Sequence, residues 1–358
     1  MMKVAIWGSY NYGNYGDDIM AIMFAKHLQK LNTQPMVYRL DNTLADKFNL
    51  QTTNSLDELF KSAAFGIIGG GGMLVADSFL RTMLSPVSRK FEQDFKQLTR
   101  YAAHYHCPIW PISIGGSGHT SHPLRSSRKI FFRSPWCQTP SVRLAEDIHI
   151  MKKLHRDAIY YPDVLLNAAQ WFCISKKPVS DDQIRIGVNL NRKDSDGFEH
   201  KLIASVSNTP NITLYFFRTH LAQYHIHYEF LPEHTNEQIQ IHQYTDPKST
   251  LEFLSGLDVV LSSKLHLGLT ALTTDVPFFS FNGKGKTKAF LKSIDASSSI
   301  YQSDQDEQLL YDLINIKNYD LSRQCDMQAF RQYQQDSNKH FTHLAAIVQQ
   351  MATAQSYG

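Results

Sequence analysis

Cysteine is sparse: Cys107, Cys137, Cys173 and Cys325 are the only four in 358 residues, and each lies 30 or more residues from the next. That spacing excludes a C-x-x-C redox pair and the paired ligands of a zinc site, and it suits a reducing cytoplasm. Long hydrophobic runs are also missing. The most apolar windows, 63–75 and 257–272, are broken by glycines or by Lys264 and His266, short of the roughly 20 residues that span a bilayer. Met1 leads directly into the apolar stretch Val4–Trp7 and then into glycines, leaving no room for the apolar region and cleavage site of a signal peptide. A soluble, cytoplasmic chain is expected. Neither sign of charge dominates: 36 Lys and Arg against 33 Asp and Glu give +3, too near balance for a nucleic-acid binder. The aromatics, 12% of the chain, do not sit inside basic runs as stacking platforms would. No nucleic-acid partner is expected, and no repeat of fixed period is present.

What remains is a globular composition, 42% hydrophobic and 19% charged, with length enough for about two domains. Apolar strand-like runs alternate with segments of helical period, the pattern of parallel sheets covered by helices on both faces. In the first half, strands are predicted at Lys3–Trp7, Pro35–Leu40, Phe65–Ile68, Pro108–Ile114, Ser141–Arg143 and Ile159–Tyr161. A helix is predicted over Asp17–Leu31, capped by Asp17 or Asp18. The polar, proline-containing segment Cys173–Asp182 joins this series to a second one. There, strands are predicted at Ile184–Asn189, Thr213–Phe217, Asp258–Leu261 and Pro277–Phe281, helices at Ser249–Ser255 and Leu267–Thr273, and one long closing helix near Met327–Met351. The expected architecture is α/β, two Rossmann-like domains facing a cleft: 1–175, 176–325, and a C-terminal helix, 326–358, that can return to the N-terminal domain. In such folds ligands bind beyond the carboxyl ends of the strands.

Four strand ends carry candidate chemistry. After the first strand come Asn11, Asn14 and Asp17 among Gly8, Gly13 and Gly16. The glycine spacing is not a dinucleotide fingerprint, and the segment reads either as a tight turn with an Asp cap or as an acceptor-sugar site. Gly69–Gly72 run toward a predicted helix with no P-loop lysine, and the backbone of Gly70, Gly71 and Gly72 reads either as a place of close approach by a ligand or another chain segment or as a purely structural turn. Arg143 ends a short strand and reads either as an exposed surface arginine or as a fork onto a carboxylate or phosphate. Upstream, Arg125, Arg128, Lys129 and Arg133 form either a solvated helix face or a contact for the phosphates of a lipid-linked substrate. The sharpest group is Asp258–His266, where a buried strand delivers Lys264 and His266, on one face if the extended geometry persists, with Lys284, Lys286 and Lys288 after the next strand.

Through these residues the sequence resembles the polysaccharide pyruvyl transferase family. The matching motifs are Asn14-Tyr15-Gly16-Asp17-Asp18, Gly69 to Leu74, Val142-Arg143 with Pro162-Asp163, and Ser262-Ser263-Lys264-Leu265-His266 with Lys286, in that order. Two departures stand out. Lys264 occupies a position where the family often has arginine, which turns a bidentate contact into a point charge. The loop Phe281–Lys286 leaves both Lys284 and Lys286 as candidates for the motif lysine, with the spacing to Phe290 favouring Lys286. The resemblance implies transfer of pyruvate from phosphoenolpyruvate to two sugar hydroxyls, giving a cyclic ketal and phosphate, in an architecture like the two-domain GT-B glycosyltransferases. It implies His266 as general acid, with Arg143 and Lys286 as its catalytic companions. Arg143, Lys264, His266, Lys286 and Lys284 would bind phosphoenolpyruvate, and Asn11, Asn14, Asp17, Gly70, Gly71 and Gly72 the acceptor. No metal or redox cofactor is expected. The acceptor would be a sugar or lipid-linked glycan, and a lipid-linked one adds peripheral contact with the inner membrane. The competing readings are a GT-B-like glycosyltransferase using a nucleotide sugar and a non-catalytic glycan-binding protein.

Overall fold

The computed structural model describes the chain except residues 76–83, 117–123, 179–181, 194, 196, 227, 319–325 and 357–358. Cys325 and the helix expected after the four glycines lie outside the described residues. The chain divides into two compact units. One comprises Met1–Asn11, Asp17–Val164 and Asp336–Gly358, and the other Tyr12–Gly16 and Leu165–Gln335. Against the expected 1–175 and 176–325, the divisions come after Val164 and after Gln335, and the C-terminal helix is part of the first unit.

The first unit is built on a parallel sheet of order β3-β2-β1-β4-β5, with β1 Met2–Trp7, β2 Thr33–Tyr38, β3 Gln51–Thr53, β4 Phe65–Gly69 and β5 Ile109–Ile112. Val4 to Trp7 are buried, because helices cover both faces of a parallel sheet and its central strand reads as an unbroken apolar run. A short parallel pair, β6 Ser141–Val142 and β7 Ile159–Tyr160, continues from β5 through single bridges at Ile109–Cys137 and Ile114–Val142. The core on this side gathers Trp7, Phe60, Phe95, Phe131 and Phe132, with Trp7 and Phe95 edge to face at 4.9 Å.

The second unit holds six parallel strands in the order β10-β9-β8-β11-β12-β13: β8 Ile184–Asn189, β9 Ile212–Arg218, β10 Ile239–Gln243, β11 Val259–Ser262, β12 Phe278–Phe281 and β13 Ile300–Tyr301. Numbered within the unit this is 3-2-1-4-5-6, the doubly wound order, whose direction reverses between β8 and β11. The strands missing from the sequence reading, β3, β10 and β13, all lie at sheet edges. Edge strands are short and half solvated, so their sequences lack the apolar run that marks a central strand.

Three local expectations change. The first helix begins at Tyr15, not Asp17. Asn14 takes the capping place by accepting the Gly16 N–H at 3.0 Å, and Asp17 and Asp18 fall in the first turn, where they favour the positive helix end. The closing helix is two helices, Met327–Ser337 and Lys339–Ser356, parted at Asn338. At the break, Ser337 Oγ donates to Asp163 O at 2.8 Å, and fully buried His340 lies with Nε2 3.0 Å from Pro162 O and Nδ1 2.9 Å from Ser141 Oγ. In the basic run, Arg128 is buried, pairs with Glu92 at 2.6 Å and donates to Met73 O. The carbonyls and the carboxylate it satisfies hold it inside, and it is not part of a solvated face.

Candidate active site

In the second unit, four neighbouring strands end side by side and each delivers polar groups at its carboxyl end. β9 is followed by Thr219 and His220, β8 by Leu190 and Asn191, β11 by Ser263 to His266, and β12 by Asn282 to Lys286. The extended backbone expected to place Lys264 and His266 on one face ends at Lys264 (φ −107°, ψ 140°), which caps the helix Leu265–Leu272, so His266 sits in its first turn. Ser262 Oγ accepts the Lys264 N–H at 2.9 Å and makes that turn. Lys284 caps the next helix, Gly285–Ser293, in the same way. Two helix N-termini, each with a lysine at its cap, therefore follow two paired strands. Such ends present unpaired N–H groups and positive potential to an anion.

The segment Tyr12–Gly16 packs within this unit. Tyr15 N–H donates to Thr219 O at 2.9 Å, Leu221 N–H to Gly13 O at 2.9 Å, and Tyr15 Oη to Thr270 Oγ1 at 2.9 Å. The Gly16 backbone lies so near the half-buried His266 ring that a Cβ there would overlap Nδ1. Glycine at 16 is required by that approach.

Asn14 fixes a proton. Its Oδ1 accepts a backbone N–H, which can only donate, so Nδ2 is the atom 3.0 Å from His220 Nε2. His220 Nε2 then accepts, and the ring proton sits on Nδ1, 3.4 Å from Glu229 Oε1. The same Oε1 lies 2.5 Å from Lys264 Nζ, which also donates to Thr219 Oγ1 at 3.2 Å. Burial alone would raise the Glu229 pKa, but the neighbouring His220 ring, the hydrogen bond from Thr219 and the charge and hydrogen bond of Lys264 pull it well below the carboxylate range. The Lys264 pKa is lowered, chiefly by burial, with Glu229 opposing and Lys284 adding to the shift. Lys264 is thus already engaged by a carboxylate. Lys284 is exposed and Lys286 half buried.

The other named residues belong to the first unit. Arg143 is buried, and NH1 donates to Asp163 Oδ2 at 2.9 Å. Gly70 and Gly71 follow β4 with φ of +77° and +84°, a turn closed to most side chains. Asp17 Oδ1 lies 3.7 Å from where a Gly71 Cβ would be. Gly72 and Asn11 are half exposed in turns. Asp147 is buried and accepts the Gly116 N–H at 2.8 Å through Oδ2. Burial pushes its pKa up to about 6 against the pull of Gly116 and Arg143.

Sequence reasoning did not name Thr219, His220, Glu229 or Asp147. Thr219 and His220 directly follow β9, where the strand-end rule could have found them. Glu229 and Asp147 lie away from strand ends and carry no comparable signal. Among the described residues no cluster of three His, Cys, Asp or Glu side chains is arranged to hold a metal.

Residues 14–285 match the family described as polysaccharide pyruvyl transferase. No curated protein matches significantly. Solved structures do. They include UDP-GlcNAc 2-epimerase from Neisseria meningitidis bound to UDP-GlcNAc (9% identity, 99% of this chain and 100% of that one, TM-score 0.56). A putative UDP-N-acetylglucosamine 2-epimerase from Listeria monocytogenes gives 10% identity over 94% and 91% of the two chains at TM-score 0.57. The UDP-GlcNAc 2-epimerase of Methanocaldococcus jannaschii gives 12% over 88% and 92% at 0.56. At such identities the likeness shows the fold alone, two Rossmann-like domains of the GT-B kind.

Proposed function

Since the chain belongs to the polysaccharide pyruvyl transferase family, we propose that it transfers pyruvate from phosphoenolpyruvate to two hydroxyls of a sugar in a bacterial surface polysaccharide or its lipid-linked precursor. The observation that supports this is the meeting of His266, two lysine-capped helix N-termini and Lys286 at the carboxyl edge of the second sheet. Phosphoenolpyruvate carries a phosphate and a carboxylate, and such a set suits both anions. Lys286 and Lys284 are assigned to the attraction of these anions, Lys286 from the first turn of its helix and Lys284 from its cap. The His220–Glu229 pair holds Asn14 and Lys264 in register.

The chemistry begins with protonation of C3, which makes C2 electrophilic. His266 is the donor, since imidazole titrates near neutral pH. One sugar hydroxyl adds to C2 and gives up its proton, the C2–O bond to phosphate breaks, and the second hydroxyl adds with loss of its proton to close the ketal. Asn11, Asn14, Asp17 and the turn Gly70–Gly72 are assigned to the acceptor, because a carboxylate and amides accept hydroxyl hydrogen bonds while Asp17 repels phosphate. Arg143 is assigned to anion recognition, with Asp163 fixing the plane of its guanidinium. A second reading, a glycosyl transfer from a nucleotide sugar, draws on the neighbours solved with UDP-GlcNAc.

Incubation with phosphoenolpyruvate and a panel of simple and lipid-linked glycosides decides between them. Release of phosphate with a product heavier by pyruvate less water is expected. Consumption of a nucleotide sugar with no use of phosphoenolpyruvate would replace this reading with the second.

A further inference from the structure

The outward face of the helix Pro86–His104, in the first unit, is cationic. Arg89, Lys90, Lys96 and Arg100 line a shallow groove on it together with Arg39 and Asp94. Their spacing follows the helical turn and sets them away from Phe95, Leu98 and Ala102, which face the core. From Arg89 to Arg100 the stripe runs about 17 Å at 1.5 Å per residue. Asp94 is already taken by Arg39 at 3.1 Å. Among the described residues, Arg89, Lys90, Lys96 and Arg100 have no carboxylate within ion-pair distance. Five cations against one carboxylate is a larger excess than the +3 of the entire chain, so the rest of the molecule is close to neutral or slightly acidic.

Two features of the same helix say what the stripe meets. At its N-terminal end lie Leu84, just before the cap Ser85 and 79% exposed, and Val87, 49% exposed. Among the described residues no aromatic ring lines the groove itself, so bases have nothing there to stack on. The neighbouring helix Ser126–Arg133, joined through Glu92 and Arg128, repeats the mixture with Lys129, Arg133 and a 60% exposed Ile130. Unpaired cations attract an anionic surface, and exposed aliphatic side chains at the end of the stripe gain by leaving water for the acyl boundary.

We propose that this face docks the first unit onto an anionic lipid bilayer. The inference stands apart from pyruvyl transfer, since vesicle binding is read without turnover. The protein is to be floated with vesicles of phosphatidylcholine alone or with 30% phosphatidylglycerol, in 0.1 M and 0.5 M NaCl. Binding at least tenfold stronger to the anionic vesicles is expected, weakened by salt. The combined change Arg89→Glu, Lys96→Glu and Arg100→Glu should lower it at least tenfold, and Leu84→Ser with Val87→Ser should weaken the binding that survives high salt. A matched reversal in the second unit, Lys193→Glu, Lys248→Glu and Lys292→Glu, should leave binding within twofold of the parent. Equal binding to neutral vesicles, or equal loss from both triple changes, would overturn the assignment. Circular dichroism of each variant separates loss of binding from loss of fold.

Discussion

At the scale of single residues, the ring of His266 lies on the backbone of Gly16, which adds a second test, beside truncation of the ring, of the proton transfer proposed for it. His266→Ala should lower turnover on the order of 10²–10⁴-fold with circular dichroism unchanged. Turnover close to the parent's would reduce His266 to a packing residue. Gly16→Ala leaves the imidazole in the chain but pushes it aside, so turnover should fall while phosphoenolpyruvate affinity, read by calorimetry without acceptor, changes little. The cations should behave in the opposite sense. Lys286→Ala is expected to weaken phosphoenolpyruvate binding by about 1.5–3 kcal/mol, the range of a charge-assisted contact, and Lys284→Ala by less. If Lys284→Ala proves the more damaging, the motif lysine lies two residues earlier.

Among the elements, the final helix Lys339–Ser356 depends on a histidine kept neutral. Full burial lowers the His340 pKa to about 3, against hydrogen bonds to Pro162 and Tyr161 carbonyls that raise it. The unfolded chain would take up a proton near pH 6.5, so this residue's contribution is complete above that pH. It is lost as pH falls toward 3, costing about 2 kcal/mol by pH 5. Urea unfolding of the parent and of His340→Gln should therefore show a weaker acid loss in the variant; identical slopes against pH would remove His340 as the cause. The sequence made the central strands legible because each carries an apolar run, Val4–Trp7, Phe65–Ile68, Ile186–Val188 and Val259–Leu261, and the ends of β11 and β12 pointed to Lys264, His266 and Lys286. It did not reveal the break at Asn338, which is made by hydrogen bonds from Ser337 and His340 to residues more than a hundred positions away. Nor did it reveal Glu229, whose pairing with Lys264 is likewise set by tertiary position alone.

At the scale of the whole molecule, each unit has its own core, one around Phe95 and one around Phe216. Phe95→Ala and Phe216→Ala should each cost about 3–5 kcal/mol. In scanning calorimetry each should displace one component of the melting profile; a single transition moved equally by both would show one cooperative body. The membership of the units has a further consequence, for the order in which the protein is made. The first unit owns the opening strand and also the last helix, Lys339–Ser356, with the whole of 165–335 between them. At roughly 5–20 residues per second a ribosome needs roughly 10–30 s to cross that interval. Throughout it, Ser141, Pro162 and Asp163 lack the partners that Ser337 and His340 will bring. The half begun first is the half finished last. Nascent chains stalled after residue 335 should be cut by protease in the first unit, and chains released at full length should resist.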